Sequence, residues 1–165
     1  MDSSITITHM YTDKSGHTRF KKKILPLETK TGLGSVGLFS SLFFNQILDD
    51  NSGDIKMQFA VTPVPIKSDG EGPKLAHTAP RRQLVLTLDG NLEFKSCDID
   101  SLDQDHQTII TKGQILLADD LEGAGHVWSF LKDGNGKMSP WVRCYVHLGA
   151  EYDHFISKLQ DKKNE

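Results

Sequence analysis

The sequence predicts an all-β domain, a barrel or sandwich with one short helix at its C-terminal end. Three observations predict it. Apolar and polar residues alternate with period two in many short segments. Clusters of Gly, Asp, Asn and Pro separate those segments at short intervals. At the end of the chain Tyr152, Phe155, Ile156 and Leu159 fall on one helical stripe.

Ile5 and Ile7 alternate with threonines and predict a first strand. Ser15-Gly16 is a turn, after which Arg19-Phe20-Lys21 leads to Ile24-Leu25-Pro26-Leu27. Lys21-Lys22-Lys23 reads as a solvated strand edge. Gly32, Gly34 and Gly37 predict a loose or bent stretch, and Leu38 to Phe44 is apolar without a clear period. Asp49 to Gly53 is a turn. Met57, Phe59 and Val61 then alternate with Gln58, Ala60 and Thr62 until Pro63 and Pro65 end the strand. Lys67 to Lys74 reads as a surface loop.

Gln83 to Leu88 is the best strand pattern in the chain. Asp89-Gly90-Asn91 follows as a hairpin turn, with Leu92 and Phe94 on the return strand. Thr108 to Thr111 and Ile115 to Ala118 predict two more strands. His126, Trp128 and Phe130 share one parity of the next. In the last, Val142, Cys144 and Val146 alternate with Arg143, Tyr145 and His147. Glu151 to Gln160 predicts the helix, and the end should fray.

A chain of 165 residues suffices for one domain with a sizeable core, so 1–165 is read as a single unit. The net charge of -3 supplies no general basic field, which argues against nucleic acid and anionic membrane surfaces as partners. No apolar run is long enough to span a bilayer. Met1-Asp2-Ser3-Ser4 lacks the blocks of a secretory signal. Cys97 and Cys144 lie far apart and form no CxxC, which reads as two reduced thiols. These features together predict a cytoplasmic protein. Gly32, Gly34 and Gly37 match the dinucleotide glycine spacing, but no strand–turn–helix context surrounds them.

Two segments carry a further signal. The first runs from His77-Thr78-Ala79-Pro80-Arg81-Arg82-Gln83 to Gly90. The second runs from Gly113 through Ile115-Leu116-Leu117-Ala118 to Gly123-Ala124-Gly125-His126. This pair resembles the two motifs of the cupin superfamily over roughly Ala76 to Trp128. The match is nearest to a branch of small single-domain cupins with no settled common activity. His77 stands at the first histidine of motif 1 (about 77–90), while Ala79 replaces the second histidine and Gln83 replaces the acid. His126 stands at the histidine of motif 2 (about 113–126), after a longer turn that lacks the usual proline.

The resemblance implies a double-stranded β-helix, or jelly-roll barrel, around a cavity, with a short C-terminal helix. It also implies a metal site of His77, Gln83 and His126, suited to Fe, Mn, Ni or Zn by its imidazoles. Replacing a carboxylate with an amide weakens such a site, so the sequence leaves a metal-free cavity open. In a barrel alternate residues point inward, which puts Arg81 and Val85 in line with Gln83. Arg81 would anchor a ligand's acid group, and Met57, Phe59, Val85 and Trp128 would form an apolar wall. Each residue also has a plain structural role open to it. His77 can be a rim histidine, Gln83 a cross-strand amide, and Arg82 the partner of Asp119, Asp120 or Glu122.

Three functions follow. One is a metal-assisted enzyme acting on a small organic acid or a secondary metabolite. The second is a metal-free barrel that binds a small ligand. The third is a homodimeric interaction protein, because Leu84, Leu86 and Leu88 face outward and need cover.

Overall fold

The computed structural model describes residues 4–30, 34–37, 57–65, 75–97, 104–149 and 152–161. These residues are mostly β-strand, as the alternation predicts. The strands are β1 (Ser4–Thr12), β2 (Thr18–Lys30), β3 (Gly34–Gly37), β4 (Met57–Thr62), β5 (Gln83–Asp89) and β6 (Asn91–Ser96). They continue with β7 (Gln107–Thr111), β8 (Ile115–Asp119), β9 (His126–Phe130), β10 (Trp141–His147) and β11 (Gln160–Asp161). Among the described residues one short α-helix, α1, spans Tyr152–Lys158. No helix among the described residues is long and apolar enough to cross a membrane.

A large sheet has the order β11-β2-β1-β8-β5-β10-β4, with β3 also on β2, and a small sheet has the order β7-β6-β9. Neighbours in the large sheet are antiparallel except β1 and β8, which run parallel. The two sheets share one apolar cluster. Met10, Val85, Leu116 and Trp141 enter it from the large sheet, and Leu92, Phe94, Ile110 and Phe130 from the small one. A second cluster covers the other face of the large sheet. There Ile7, Leu25, Leu84, Leu117, Cys144 and Val146 meet Tyr152, with Ile156 and Leu159 packed against them.

This double cover explains why β5 is nearly continuous in apolar character. Val85 and Thr87 face the small sheet, and Leu84 is buried on the side of α1. Leu84 and Leu86 therefore find cover within the chain, while Leu88 stays exposed.

Gly90 does not close a hairpin. Its φ of +109° turns the chain from the large sheet into the small one, where β6 pairs with β7 and β9 instead of β5. A side chain at Gly90 would press on Pro140 and Trp141, so the corner is tight as well as left-handed. The lysine edge is covered in part, because β11 pairs with Lys23 and Ile24. β2 has β1 on one side and β11 on the other, and Lys21 and Lys23 both pair with Asp161 of β11. The stretch expected to be loose includes β3, which pairs with the far end of β2. Gly32, the apolar run 38–44, the turn 49–53, the loop 67–74 and the side chain of Phe155 lie outside the described residues.

Candidate functional site

A cavity of about 380 Å³ lies between the sheets. Its size is within the usual range for small-molecule pockets. Five large-sheet strands reach it: Met10 from β1, Leu116 and Ala118 from β8, Gln83 and Val85 from β5, Trp141, Arg143, Tyr145 and His147 from β10, and Gln58 from β4. The small sheet contributes Phe94, His126 and Trp128. The irregular segment before β5 supplies the mouth, where His77, Pro80 and Arg81 are exposed and still line the cavity.

His77, Gln83 and His126, taken from the two distant motifs, all line this one space. A backbone bridge brings the two histidines together. His77 N–H donates to His126 O at 3.1 Å, and His126 N–H donates to His77 O at 2.9 Å. Their ring centroids are 4.5 Å apart. Gln83 is buried and pairs in register with His147 on β10 and Ala118 on β8. Val85 and Trp128 also line the cavity.

Met57 and Phe59 do not. Both are exposed, at 49% and 67%, and Gln58 lines the cavity in their place. The register explains the reversal. Gln58 pairs with Tyr145, which faces inward, while Phe59 pairs with Cys144, which faces the outer cluster. In a strand with period two, that register sends every odd-numbered residue of β4 outward.

Asp120 is the residue that sequence reasoning missed. It continues the inward parity of Leu116 and Ala118 and has no exposed surface. Its Oδ2 accepts from His126 Nδ1 at 2.6 Å and from Thr18 Oγ1 at 3.1 Å. The Ala79 N–H lies 3.4 Å from its Oδ1. A carboxylate only accepts, so His126 carries its proton on Nδ1 and Nε2 is the remaining nitrogen. At the rim, His77 Nδ1 donates to Leu75 O at 3.2 Å. Both histidines are thus held by an oxygen at one nitrogen, which fixes the ring orientation.

The neighbouring Asp119 faces the opposite way. Arg82 Nε donates to it at 2.9 Å, His9 Nε2 lies 3.3 Å from it, and the Tyr152 hydroxyl bonds to it as well. Arg82 also stacks 4.2 Å above the Tyr152 ring, so this cluster ties α1 to the outer face. Burial raises the Asp119 pKa, but hydrogen bonds from His9, Tyr152 and Arg82 outweigh it and leave the carboxyl below its ordinary value. A depressed folded-state pKa contributes stability in full above the unfolded value, about 3.9, and loses it as the pH falls through the lower folded value. The stability advantage of the wild type over Asp119→Asn, read by urea denaturation, is therefore expected to hold steady between about pH 5 and 7 and shrink below about pH 4. An advantage that grows on acidification would contradict this arrangement.

The protein has four arginines, all described. The two outside the cavity are paired: Arg19 with Asp13 at 2.7 Å, and Arg82 with Asp119 at 2.9 Å. The two at the cavity, Arg81 and Arg143, have no carboxylate partner among the described residues, and no described Asp or Glu lines the space. Arg143 is held in place nonetheless. Its guanidinium lies 3.9 Å over the Trp141 ring, its Nε donates to the Tyr145 hydroxyl at 2.5 Å, and Nη1 donates to Thr62 Oγ1 at 2.8 Å. The pairing of β10 with β5 skips Leu88 between Val142 and Arg143, an irregularity of the kind that re-aims side chains beside functional sites.

The metal that the resemblance implies does not fit these side chains. His77 and His126 offer two neutral nitrogens and Gln83 a neutral oxygen, while Asp120 is spent on Nδ1 of His126. Among the described residues no three His, Cys, Asp or Glu side chains group so as to hold an ion. Arg81 and Arg143, with no carboxylate partner among the described residues, add positive charge at the cavity and oppose a divalent cation. No known protein family matches the chain, and a search of curated proteins finds no relative.

Proposed function

We propose that the chain is a jelly-roll barrel of cupin type whose interior binds a small organic anion. The barrel reading is supported by two facing sheets and by the meeting of the two motif histidines at one cavity. The anion reading rests on one observation. Arg143 is half-buried at the cavity and Arg81 exposed at its mouth, neither with a carboxylate partner among the described residues, while both other arginines are ion-paired outside it. A buried or half-buried guanidinium needs a counter-charge, and its planar fork matches a carboxylate.

Arg143→Met keeps much of the apolar stem and removes the fork. A hydrogen bond to a charged group contributes about 1.5–3 kcal/mol, so this change is expected to weaken a small carboxylate such as benzoate by about 10- to 100-fold. Titration calorimetry on the wild type, Arg143→Met and Arg82→Met reads this directly. Arg82→Met should leave affinity unchanged, because Arg82 faces the other side. Equal losses in the two variants, or no binding by the wild type at about 10 mM ligand, would refute the proposal.

The Asp120–His126 pair favours a second reading, catalysis of proton transfer on the bound acid. His126 Nε2 would take a proton from an activated C–H of the ligand, and Asp120 would stabilise the imidazolium that forms. Hydrogen–deuterium exchange at that carbon, followed by proton NMR, should be faster with the wild type than with His126→Gln. Equal exchange rates would leave the protein as a binder alone.

A further inference from the structure

We infer that the ligand is an aromatic carboxylic acid with a hydrogen-bonding group at the end remote from its carboxylate. This inference rests on the anion reading and names the class of acid. Three features of the cavity carry it.

The first is the donor pair at one end. Arg143 spends Nε on Tyr145 and Nη1 on Thr62 and the Trp141 carbonyl, which leaves the two N–H groups of Nη2 without an acceptor among the described residues. The Tyr145 oxygen accepts from Arg143, so its own O–H is also left to donate, and no described residue accepts it. Both groups project from the same inward parity of β10. Stacking on Trp141 and Tyr145 fixes the plane of the guanidinium, with Cζ 3.9 Å and 5.1 Å from the two rings. A flat two-oxygen anion answers three fixed donors in this way.

The second is the wall beyond that clamp. Tyr145 comes from the large sheet and Trp128 from the small sheet, and both are only partly buried. Trp128 lies 5.0 Å from Trp141 in an edge-on contact, which orders the rings into a cage. Aromatic walls favour a flat ring over an aliphatic body of equal area, because edge-to-face and stacked contacts add to area burial.

The third is the opposite end. Strand rise puts His147 about 13 Å from Arg143 along β10. His147 pairs with Gln83, and its Nδ1 is buried with no hydrogen-bond partner among the described residues. His126 and His77 stand at the same end, each with Nε2 as its second nitrogen. A hydroxyl or carbonyl on the far side of the ligand's ring would meet these nitrogens, and an unmet buried nitrogen calls for such a partner.

The test compares 3-(4-hydroxyphenyl)propionate with 3-(4-hydroxycyclohexyl)propionate and inorganic phosphate by titration calorimetry, on the wild type, Trp128→Leu and Trp128→Phe. The aromatic acid should bind the wild type about tenfold or more tighter than the cyclohexyl acid, with phosphate weakest. Trp128→Phe should retain that preference, and Trp128→Leu should bring the two organic acids within about twofold of each other. If no anion binds, the anion reading itself fails and this inference fails with it. If the two organic acids bind alike, or Trp128→Leu keeps the full preference, the anion reading stands and the aromatic class is overturned.

Discussion

Replacing Asp120 with alanine should cost about 2–5 kcal/mol of folding stability, because it leaves two buried donors unpaired at about 1–3 kcal/mol each. Asp120 has no exposed surface and joins three elements that are distant in sequence. Its carboxylate meets His126 of β9, Thr18 of β2 and the backbone of Ala79 before β5. Removing it strands an imidazole and a hydroxyl away from water. A domain of this size is stable by only about 5–15 kcal/mol, so the variant should be marginal. Asp120→Asn preserves shape and should lose less stability, but its amide cannot both accept from Thr18 and hold the Nδ1–H of His126 as firmly. Urea denaturation reads the first effect, and the nitrogen chemical shifts of His126 read the change of tautomer. A loss under about 1 kcal/mol in the alanine variant would show that the pair is not a structural tie.

The second large effect is expected at Gly125, one residue before His126. Its φ is +75°, and a Cβ there would lie 2.6 Å from both the carbonyl carbon and oxygen of His77. The left-handed conformation alone costs a non-glycine residue about 1–2 kcal/mol. The clash is with backbone, so either the bridge between His77 and His126 opens or the turn shifts. Gly125→Ala should therefore cost about 2–4 kcal/mol and also weaken ligand binding, because the two histidines part. Gly136→Ala is the matched control. Gly136 has a similar φ of +76° but open space around its Cβ. It should pay the conformational cost alone and leave binding intact. Thermal denaturation and titration of the two variants side by side separate the terms. Equal losses in both would mean that the close approach at Gly125 carries nothing.

How far the sequence foretold this arrangement depends on how many faces of each strand are covered. β5 was legible as a short apolar run bounded by turn residues, and β9 through its alternation after a glycine turn. His77, Gln83 and His126 were legible as a group only through the motif resemblance, since nothing in local spacing says that residues 77 and 126 meet. β10 misleads for a physical reason. Val142, Cys144 and Val146 look like its inner parity, yet Cys144 and Val146 face the cluster under α1 and Arg143, Tyr145 and His147 face the cavity. A sheet buried on both sides sends its polar parity to the polar cavity and its apolar parity to the dry core. The same reasoning finds Asp120, which follows Leu116 and Ala118 inward, whereas Asp119 follows Leu117 outward. β4 differs: Gln58 of its polar parity lines the cavity, but its apolar parity is exposed and finds no dry core among the described residues. Gly90 was visible as a turn, but whether a turn closes a hairpin or moves the chain between sheets is decided by pairing partners that local sequence does not contain.

The most direct check of the account is a side-chain ¹⁵N NMR titration with 3-(4-hydroxyphenyl)propionate. The account predicts concerted, saturable shifts at Arg143 Nε, the ring nitrogens of His126 and the indole N–H groups of Trp128 and Trp141, with Arg82 Nε and His9 on the far face unmoved. Shifts concentrated at Arg82 and His9, or none at Arg143, would contradict it.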